Sequence, residues 1–304
     1  MIGAATIARL RHWALPVWIR RTIIVLLVGL SLLFLALVIS DASSSSILLL
    51  AEPGDIVVVL VCSVPYALLL TLLARSWALA PASLTPGIGY RLAVAVYGPS
   101  ILPKYIPGSI LQYGSRQYLG HKLGWNDVLV GQASLLEIIL HVLCSGGVAL
   151  ALLLLSARNV PAVEGVWYIA SALSALGFAA ALLVVGRRLK RSVVVLGALY
   201  QLAFFSGVAG LAMICALLFG VPAYRLNLVG GLFLLSWLVG FLVPLVPGGI
   251  GIREAAGVAM LSGTVGVEAA LLILAAMRIV SLGGDVQMFV AGIACQRSLR
   301  LRDA

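Results

Sequence analysis

A long apolar stretch, residues 228–264, is interrupted near its centre by the sequence PLVPGGIG, beginning at Pro244. Proline lacks a backbone N–H and glycine loosens the chain, so a continuous helix cannot pass this point. Arg253 and Glu254 follow the break. Irregular backbone at membrane depth is stable only where protein buries it or where it lines a wet cavity. We therefore predict a re-entrant hairpin over 228–264. The backbone residues that shape its tip are Pro247, Gly248, Gly249 and Gly251.

The composition places this hairpin in a membrane protein. The chain has 304 residues, of which 62% are hydrophobic and 10% are charged, and its mean hydropathy is +1.16. A soluble domain would carry about 25% charged residues. The apolar runs are continuous and do not alternate, which favours helices over a β-barrel. No polar stretch is long enough for a separate soluble domain, so we expect one membrane domain over residues 1–304, of the all-α polytopic class.

The basic residues predict the topology. Of the 20 Lys and Arg residues, only Arg158 and Arg225 would face outward, with Arg253 and Arg278 inside the membrane. The positive-inside rule then places both termini on the cytoplasmic side of the cell membrane, and it accounts for the net charge of +10 without a nucleic acid partner. The expected full spans are residues 22–40, 56–74, 127–155, 166–186, 193–219 and 267–295.

A second broken segment lies earlier in the chain. The apolar piece 92–102 has only about 11 residues, too few to cross a hydrocarbon core of about 30 Å as a helix. It runs into Pro103 and Lys104, and Pro107 and Gly108 then prepare a new helix start. We interpret residues 88–120 as a first re-entrant hairpin, entered from the cytoplasm.

The two hairpins occupy equivalent places in a repeated layout. The order span, span, broken hairpin, span occupies residues 22–155 and then residues 166–295. The first unit starts from the cytoplasm and the second from outside, which makes them an inverted repeat. Paired broken segments in two inverted halves indicate a transporter whose binding site lies near the midplane of the bilayer.

Both tips carry candidate anion-binding residues. The helix start after Gly251 offers free N–H groups, and Arg253 adds a fork of donors suited to phosphate. Alternatively, Arg253 and Glu254 bond to protein groups and lock the hairpin. Lys104 and Arg116 would bring a phosphate to the cytoplasmic mouth; the alternative is ordinary anchoring at the membrane interface.

Four further ionisable residues lie inside predicted spans. Glu137 and His141 are four residues apart and share a helix face, and Arg278 and Asp285, seven apart, share another. The repeat places the two sets opposite each other. Charge within a membrane favours a proton relay or a charge-balanced cavity, but pairing across the bundle without a transport role explains it equally well.

Catalytic and metal-binding patterns are missing from the sequence. The 4 cysteines and 3 histidines lie far apart, so we expect neither a metal site nor a disulfide framework. There is no nucleophile elbow, zinc-protease motif or P-loop. We expect no catalytic residue, no cofactor and no direct use of ATP.

The two tips together resemble a known family. Lys104-Tyr-Ile-Pro-Gly108 with Arg116, followed by Pro247-Gly-Gly-Ile-Gly-Ile-Arg-Glu254, is similar to the flippase-like family named for the transmembrane region of lysylphosphatidylglycerol synthetase. Pro103 departs from the small residue expected there. The resemblance covers nearly the whole chain and implies translocation of a lipid with a modified or phosphate-bearing headgroup. It does not extend to the family's soluble aminoacyl-transfer domain, so lipid aminoacylation is not expected.

Three functions stay open on the sequence. The first is a lipid translocator that holds an anionic or phosphate-bearing headgroup between the tips. The second is a membrane enzyme acting on lipid headgroups, with Glu137, His141 and Glu254 as acid and base groups. The third is a non-transporting partner of a lipid or glycan biosynthesis enzyme. The headgroup-binding residues of the first hypothesis are Arg253, Glu254, Lys104, Arg116 and Arg278, and its cavity residues are Glu137, His141 and Asp285. The lipid, the driving force and the oligomeric state are not predicted.

Overall fold

The structure, a computed structural model, is helical throughout the part of the chain that it describes. The described residues are 53–83, 85, 87–105, 111–157, 190–243, 247–249 and 251–300. Their helices are α1 (Pro53–Ala82), α2 (Tyr90–Tyr97), α3 (Leu111–Lys122), α4 (Asp127–Ala157), α5 (Arg191–Leu218), α6 (Leu226–Leu242), α7 (Ile252–Val265) and α8 (Val267–Arg300). No strand occurs in these segments. The predicted all-helical class is therefore confirmed.

In the part of the chain that the structure describes, five helical stretches are long and apolar enough to cross a membrane. Four are α1, α4, α5 and α8: α1, α4 and α8 contain the predicted spans 56–74, 127–155 and 267–295, and α5 matches the span 193–219 except that it ends at Leu218. The fifth is Ala223–Leu242, which includes α6 and has 20 residues. At about 1.5 Å per residue it reaches about 30 Å, although the sequence analysis placed it in a hairpin. The predicted spans 22–40 and 166–186 lie outside the described residues.

Helices α1 and α8 pack side by side because small residues line their contact. A Cβ placed on Gly284 would lie 2.4 Å from the ring of Tyr66 and 3.1 Å from the backbone N of Ala67. A Cβ on Gly283 would lie 2.9 Å from Ser63. Small residues let helix backbones approach closely in membrane bundles, where packing rather than water exclusion drives association. This contact holds α8 and its buried charged residues against the bundle.

The first broken segment comprises helix α2, two 3₁₀ turns and helix α3. Helix α2 has 8 residues, about 12 Å, and cannot cross a bilayer. It continues through the 3₁₀ turns Gly98–Ser100 and Leu102–Tyr105, and α3 begins at Leu111. Pro107 and Gly108, predicted to shape this tip, lie outside the described residues. We call Leu102–Tyr105 the Lys104 turn.

The second broken segment is α6, a 3₁₀ turn at Pro247–Gly249, and α7. We call this the Gly248 turn. Gly248, Gly249 and Gly251 have φ values of 57°, 69° and 85°, in the left-handed region that side chains with a Cβ rarely adopt. The two turns contact each other: a Cβ on Gly248 would lie 3.1 Å from the ring of Tyr105. The fold thus brings together two breaks that are far apart in sequence.

Candidate functional site

A cavity of about 440 Å³ lies between the two turns and the long helices. Ligand sites in proteins usually measure about 300–1,000 Å³. Most of the residues proposed from the sequence line this one cavity, although they come from six different helices and turns. The lining includes Lys104, Arg116, Glu137, His141, Gly248, Gly249, Arg253, Arg278 and Asp285.

The close approach of α6 to the start of α7 directs Arg253 toward the cavity. A Cβ placed on Gly240 would lie 2.7 Å from the Cβ of Arg253, and a Cβ on Gly249 would lie 3.1 Å from the carbonyl O of Gly240. Only glycine fits at Gly240 without displacing its neighbour. The glycines therefore let α6 pack closely against the start of α7, and this packing fixes Arg253 at the cavity wall.

Glu254 caps its own helix. Its Oε2 accepts a hydrogen bond of 2.7 Å from the backbone N–H of Gly251, and its Oε1 lies 3.7 Å from Nη1 of Arg278. Arg278 also donates to the carbonyl O of Gly248 at 3.4 Å. The Glu254 carboxylate thus accepts the N–H of Gly251, one of the helix-terminal N–H groups that were expected to be free for an anion. In this geometry Glu254 holds the Gly248 turn together, as the locking interpretation describes.

Arg116 and Glu137 form a buried ion pair. The exposed fractions of their side chains are 2% and 3%. Arg116 also donates from Nε to Ser100 Oγ at 2.9 Å, and its guanidinium lies 3.9 Å from the centre of the Tyr97 ring. The Tyr97 hydroxyl donates to Glu137 Oε1 at 2.5 Å. Arg116 therefore lies inside the protein, joining α3 to α4, rather than at the membrane interface.

Lys104 and Asp285 form another ion pair across the bundle. Lys104 Nζ lies 2.6 Å from Asp285 Oδ2, and the Tyr105 hydroxyl donates to the same oxygen. Asp285 is fully buried, whereas the Lys104 side chain keeps 25% of its surface exposed. This pair ties the Lys104 turn to α8. The sequence analysis placed Glu137 opposite Arg278, but Glu137 pairs with Arg116, and Asp285 pairs with Lys104.

Arg253 differs from the other three cavity cations. Among the described residues it has no ion pair and no side-chain hydrogen bond, and its guanidinium lies 4.9 Å from the centre of the Phe233 ring. Only 9% of its surface is exposed. Four basic side chains and two carboxylates, Glu137 and Asp285, line the cavity, and Glu254 follows Arg253 without being part of the lining. Each of these three carboxylates has a basic partner other than Arg253. A buried charge without a partner is unfavourable by several kcal/mol, roughly. The site is therefore chemically suited to an anion.

His141 belongs to an aromatic wall of the cavity. Its Nδ1 donates to the carbonyl O of Glu137 at 2.9 Å. The ring centre lies 5.4 Å from Phe241, which stacks on Trp237 at 5.2 Å with an angle of 10° between the planes. Gln201 lies beside this group and donates to the carbonyl O of Glu137 at 3.5 Å. His141 does not contact Asp285 in the described structure, and no chain of hydrogen bonds links the two.

Sequence reasoning missed several residues of this site. The buried charges also form hydrogen bonds with the hydroxyl groups of Tyr97, Tyr105 and Ser100. Isolated hydroxyl groups in apolar segments form no recognisable pattern in a single sequence. The role of Glu254 had a signal, since Gly251 and Glu254 have the spacing of a capping box. Within the described ranges, no three His, Cys, Asp or Glu residues come together in a way that would hold a metal ion.

Comparisons with protein-family models, with curated proteins and with solved structures find no match for this chain.

Proposed function

We propose that the protein is a lipid translocator that moves a phosphate-bearing lipid between leaflets through the cavity between its two turns. The observation that carries the proposal is Arg253, a buried guanidinium at the cavity wall that forms no ion pair among the described residues. A guanidinium binds a phosphate through two parallel hydrogen bonds. A lipid phosphate would supply the missing charge while the acyl chains stay in the bilayer.

The proposed architecture has six full spans and two re-entrant hairpins, arranged as inverted halves at residues 22–155 and 166–295. Contact between the Lys104 turn and the Gly248 turn supports it, since paired broken segments of inverted repeats meet at a midplane site. The resemblance of both motifs to the flippase-like family also supports it. The distribution of the basic residues supports a location in the cytoplasmic membrane with both termini inside.

Of the two ion pairs, only Lys104 with Asp285 joins the two proposed halves, whereas Arg116 and Glu137 both belong to the first half. Lys104 with Asp285, and Arg116 with Glu137, each join a part of the first broken segment to a long helix. In the proposed cycle one half rocks against the other and the cavity faces each leaflet in turn. The Arg116 and Glu137 pair can move with the first half as a unit, so Glu137 stays neutralised through the cycle. Separating Lys104 from Asp285 would leave a buried carboxylate unpaired and would add several kcal/mol, roughly, to the barrier.

The enzyme hypothesis has less support. Glu137 accepts from Arg116 and Tyr97, and Glu254 caps the Gly251 N–H, so neither carboxylate is presented to a substrate as a free base. General acid–base catalysis requires a group within hydrogen-bond reach of the proton that it transfers. For the partner hypothesis, the described structure offers no specific observation.

The test is transbilayer movement of an acyl-labelled fluorescent phosphatidylglycerol in reconstituted vesicles. Wild-type protein is compared with Arg253→Ala and with Arg91→Ala, which removes an exposed arginine outside the cavity. We expect movement with wild type and Arg91→Ala, and a loss of at least tenfold with Arg253→Ala, since a hydrogen bond to a charged group contributes about 1.5–3 kcal/mol. Equal rates for all three proteins, each shown to be folded by its thermal midpoint, would refute the proposal.

A further inference from the structure

The carboxylates in and beside the cavity all form ion pairs with cationic side chains of the protein. Asp285 is fully buried and binds Lys104, and Glu137 binds Arg116. Glu254 lies near Arg278 and accepts the N–H of Gly251. Oδ1 of Asp285 has no hydrogen-bond partner, but it also has no surface that faces the cavity. An ammonium group entering the cavity would therefore find no free carboxylate among the described residues.

Among the described residues that line the cavity, positive charges outnumber negative ones. Arg253 supplies one unneutralised charge, and Lys104 keeps part of its side chain exposed beside it. An ammonium on the headgroup of a lipid whose phosphate binds Arg253 would lie about 8 Å from that guanidinium. At an effective dielectric constant of about 20, the repulsion between two unit charges at that distance weakens binding about 30-fold. The cavity thus favours one negative charge and disfavours an added positive one.

The rest of the lining is uncharged. Phe241 and Trp237 contribute aromatic side chains to the lining, and Gln112, Tyr113 and Ser281 contribute amide- and hydroxyl-bearing ones. Amides and hydroxyls both donate and accept hydrogen bonds, so they match the hydroxyl groups of a polyol. These groups add no negative charge, so the preference against an amine rests on its repulsion by the cavity cations.

We infer that the cavity selects lipids that have a single negative charge on the phosphate and an uncharged, hydroxyl-bearing headgroup beyond it. Phosphatidylglycerol represents this class. Aminoacylated and amine-bearing phospholipids are disfavoured although they contain the same phosphate. The inference rests on the proposed function, because it concerns the lipid that occupies the same site. Because the inference is about which lipid binds in the cavity, a binding assay tests it separately from transport.

The experiment measures lipid binding to the full-length protein by native mass spectrometry and transport in vesicles, with the same three lipids. The lipids are phosphatidylglycerol, phosphatidylethanolamine and lysyl-phosphatidylglycerol. The variants are Arg253→Lys, which keeps the charge, Arg253→Gln, which removes it, and Arg91→Gln as the matched control at an exposed site. We expect wild type and Arg91→Gln to bind phosphatidylglycerol at least tenfold more tightly than the two amine-bearing lipids. Arg253→Lys should keep most of that preference, and Arg253→Gln should lose it.

The two proposals fail in different ways. Tighter or equal binding of lysyl-phosphatidylglycerol by wild type would overturn the inference, as would an unchanged preference in Arg253→Gln. If lipids move between leaflets without any headgroup preference, the translocator proposal stands and the inference falls. If phosphatidylglycerol binds selectively at Arg253 but no lipid moves, the selective site stands and the translocator proposal falls.

Discussion

The buried pair of Arg116 and Glu137 allows a quantitative prediction about stability. The substitution Arg116→Met leaves the Glu137 carboxylate buried, with the Tyr97 hydroxyl as its remaining side-chain donor. Removing one partner of a buried ion pair destabilises a protein by about 3–5 kcal/mol. For a chain of this size, about 2–4 °C of thermal midpoint corresponds to each kcal/mol. We therefore expect the midpoint to fall by about 6–20 °C.

The double variant Arg116→Met/Glu137→Gln removes both charges together. Replacing both members of a buried pair with neutral groups is often nearly neutral in stability, so we expect this variant to recover most of the lost midpoint. The matched control is Asp127→Asn, which removes a carboxylate from the exposed pair with His121. Exposed pairs contribute little, so this midpoint should change by only a few degrees, roughly.

The assay is thermal unfolding in detergent micelles at one fixed heating rate, because the unfolding of such proteins is often irreversible and rate-dependent. Wild type, Arg116→Met, Glu137→Gln, the double variant and Asp127→Asn are compared at the same concentration and in the same detergent. The reasoning is refuted if Arg116→Met shifts the midpoint no more than Asp127→Asn does. It is also refuted if the double variant loses the sum of the two single losses, since the charges would then act independently.

Two further predictions concern glycines and use the same midpoint measurement. Gly248→Ala should destabilise the protein by about 1–2 kcal/mol, because its φ of 57° disfavours any Cβ and the added atom would lie 3.1 Å from Tyr105. Gly263→Ala, where the added atom meets nothing within 4 Å, should leave the protein as stable or slightly more stable; the opposite order of the two would contradict the turn geometry. Gly284→Ala should cost about 1–3 kcal/mol because its Cβ would lie 2.4 Å from Tyr66. An unchanged midpoint would show that α1 and α8 are not closely packed at this point.

The sequence predicted the membrane class and the two breaks because both depend on local chemistry. Proline and glycine break a helix wherever they lie together, and apolar length alone decides whether a helix can cross a bilayer. The break before α7 was therefore visible in one segment of eleven residues, 244–254. The structure adds that three glycines at this break have positive φ, a conformation that residues with a Cβ rarely adopt.

The partners of the charged residues could not be predicted from sequence. Glu137 binds Arg116, which is 21 positions earlier, and Asp285 binds Lys104, which is 181 positions earlier. Those pairings depend on how far each helix is rotated about its axis and on how deep each turn lies, and neither property is encoded in residue spacing. The same holds for Arg253, because its lack of a partner follows from all the other pairings.

The central claim is that a lipid phosphate occupies the cavity beside Arg253. The most direct test is an electron cryo-microscopy structure of the full-length protein in nanodiscs of phosphatidylglycerol. We predict headgroup density inside the cavity, with phosphate oxygens within hydrogen-bond distance of the Arg253 guanidinium, about 2.7–2.9 Å. Density for lipid only on the outer surface of the helices, with Arg253 paired instead to a protein carboxylate, would contradict the account.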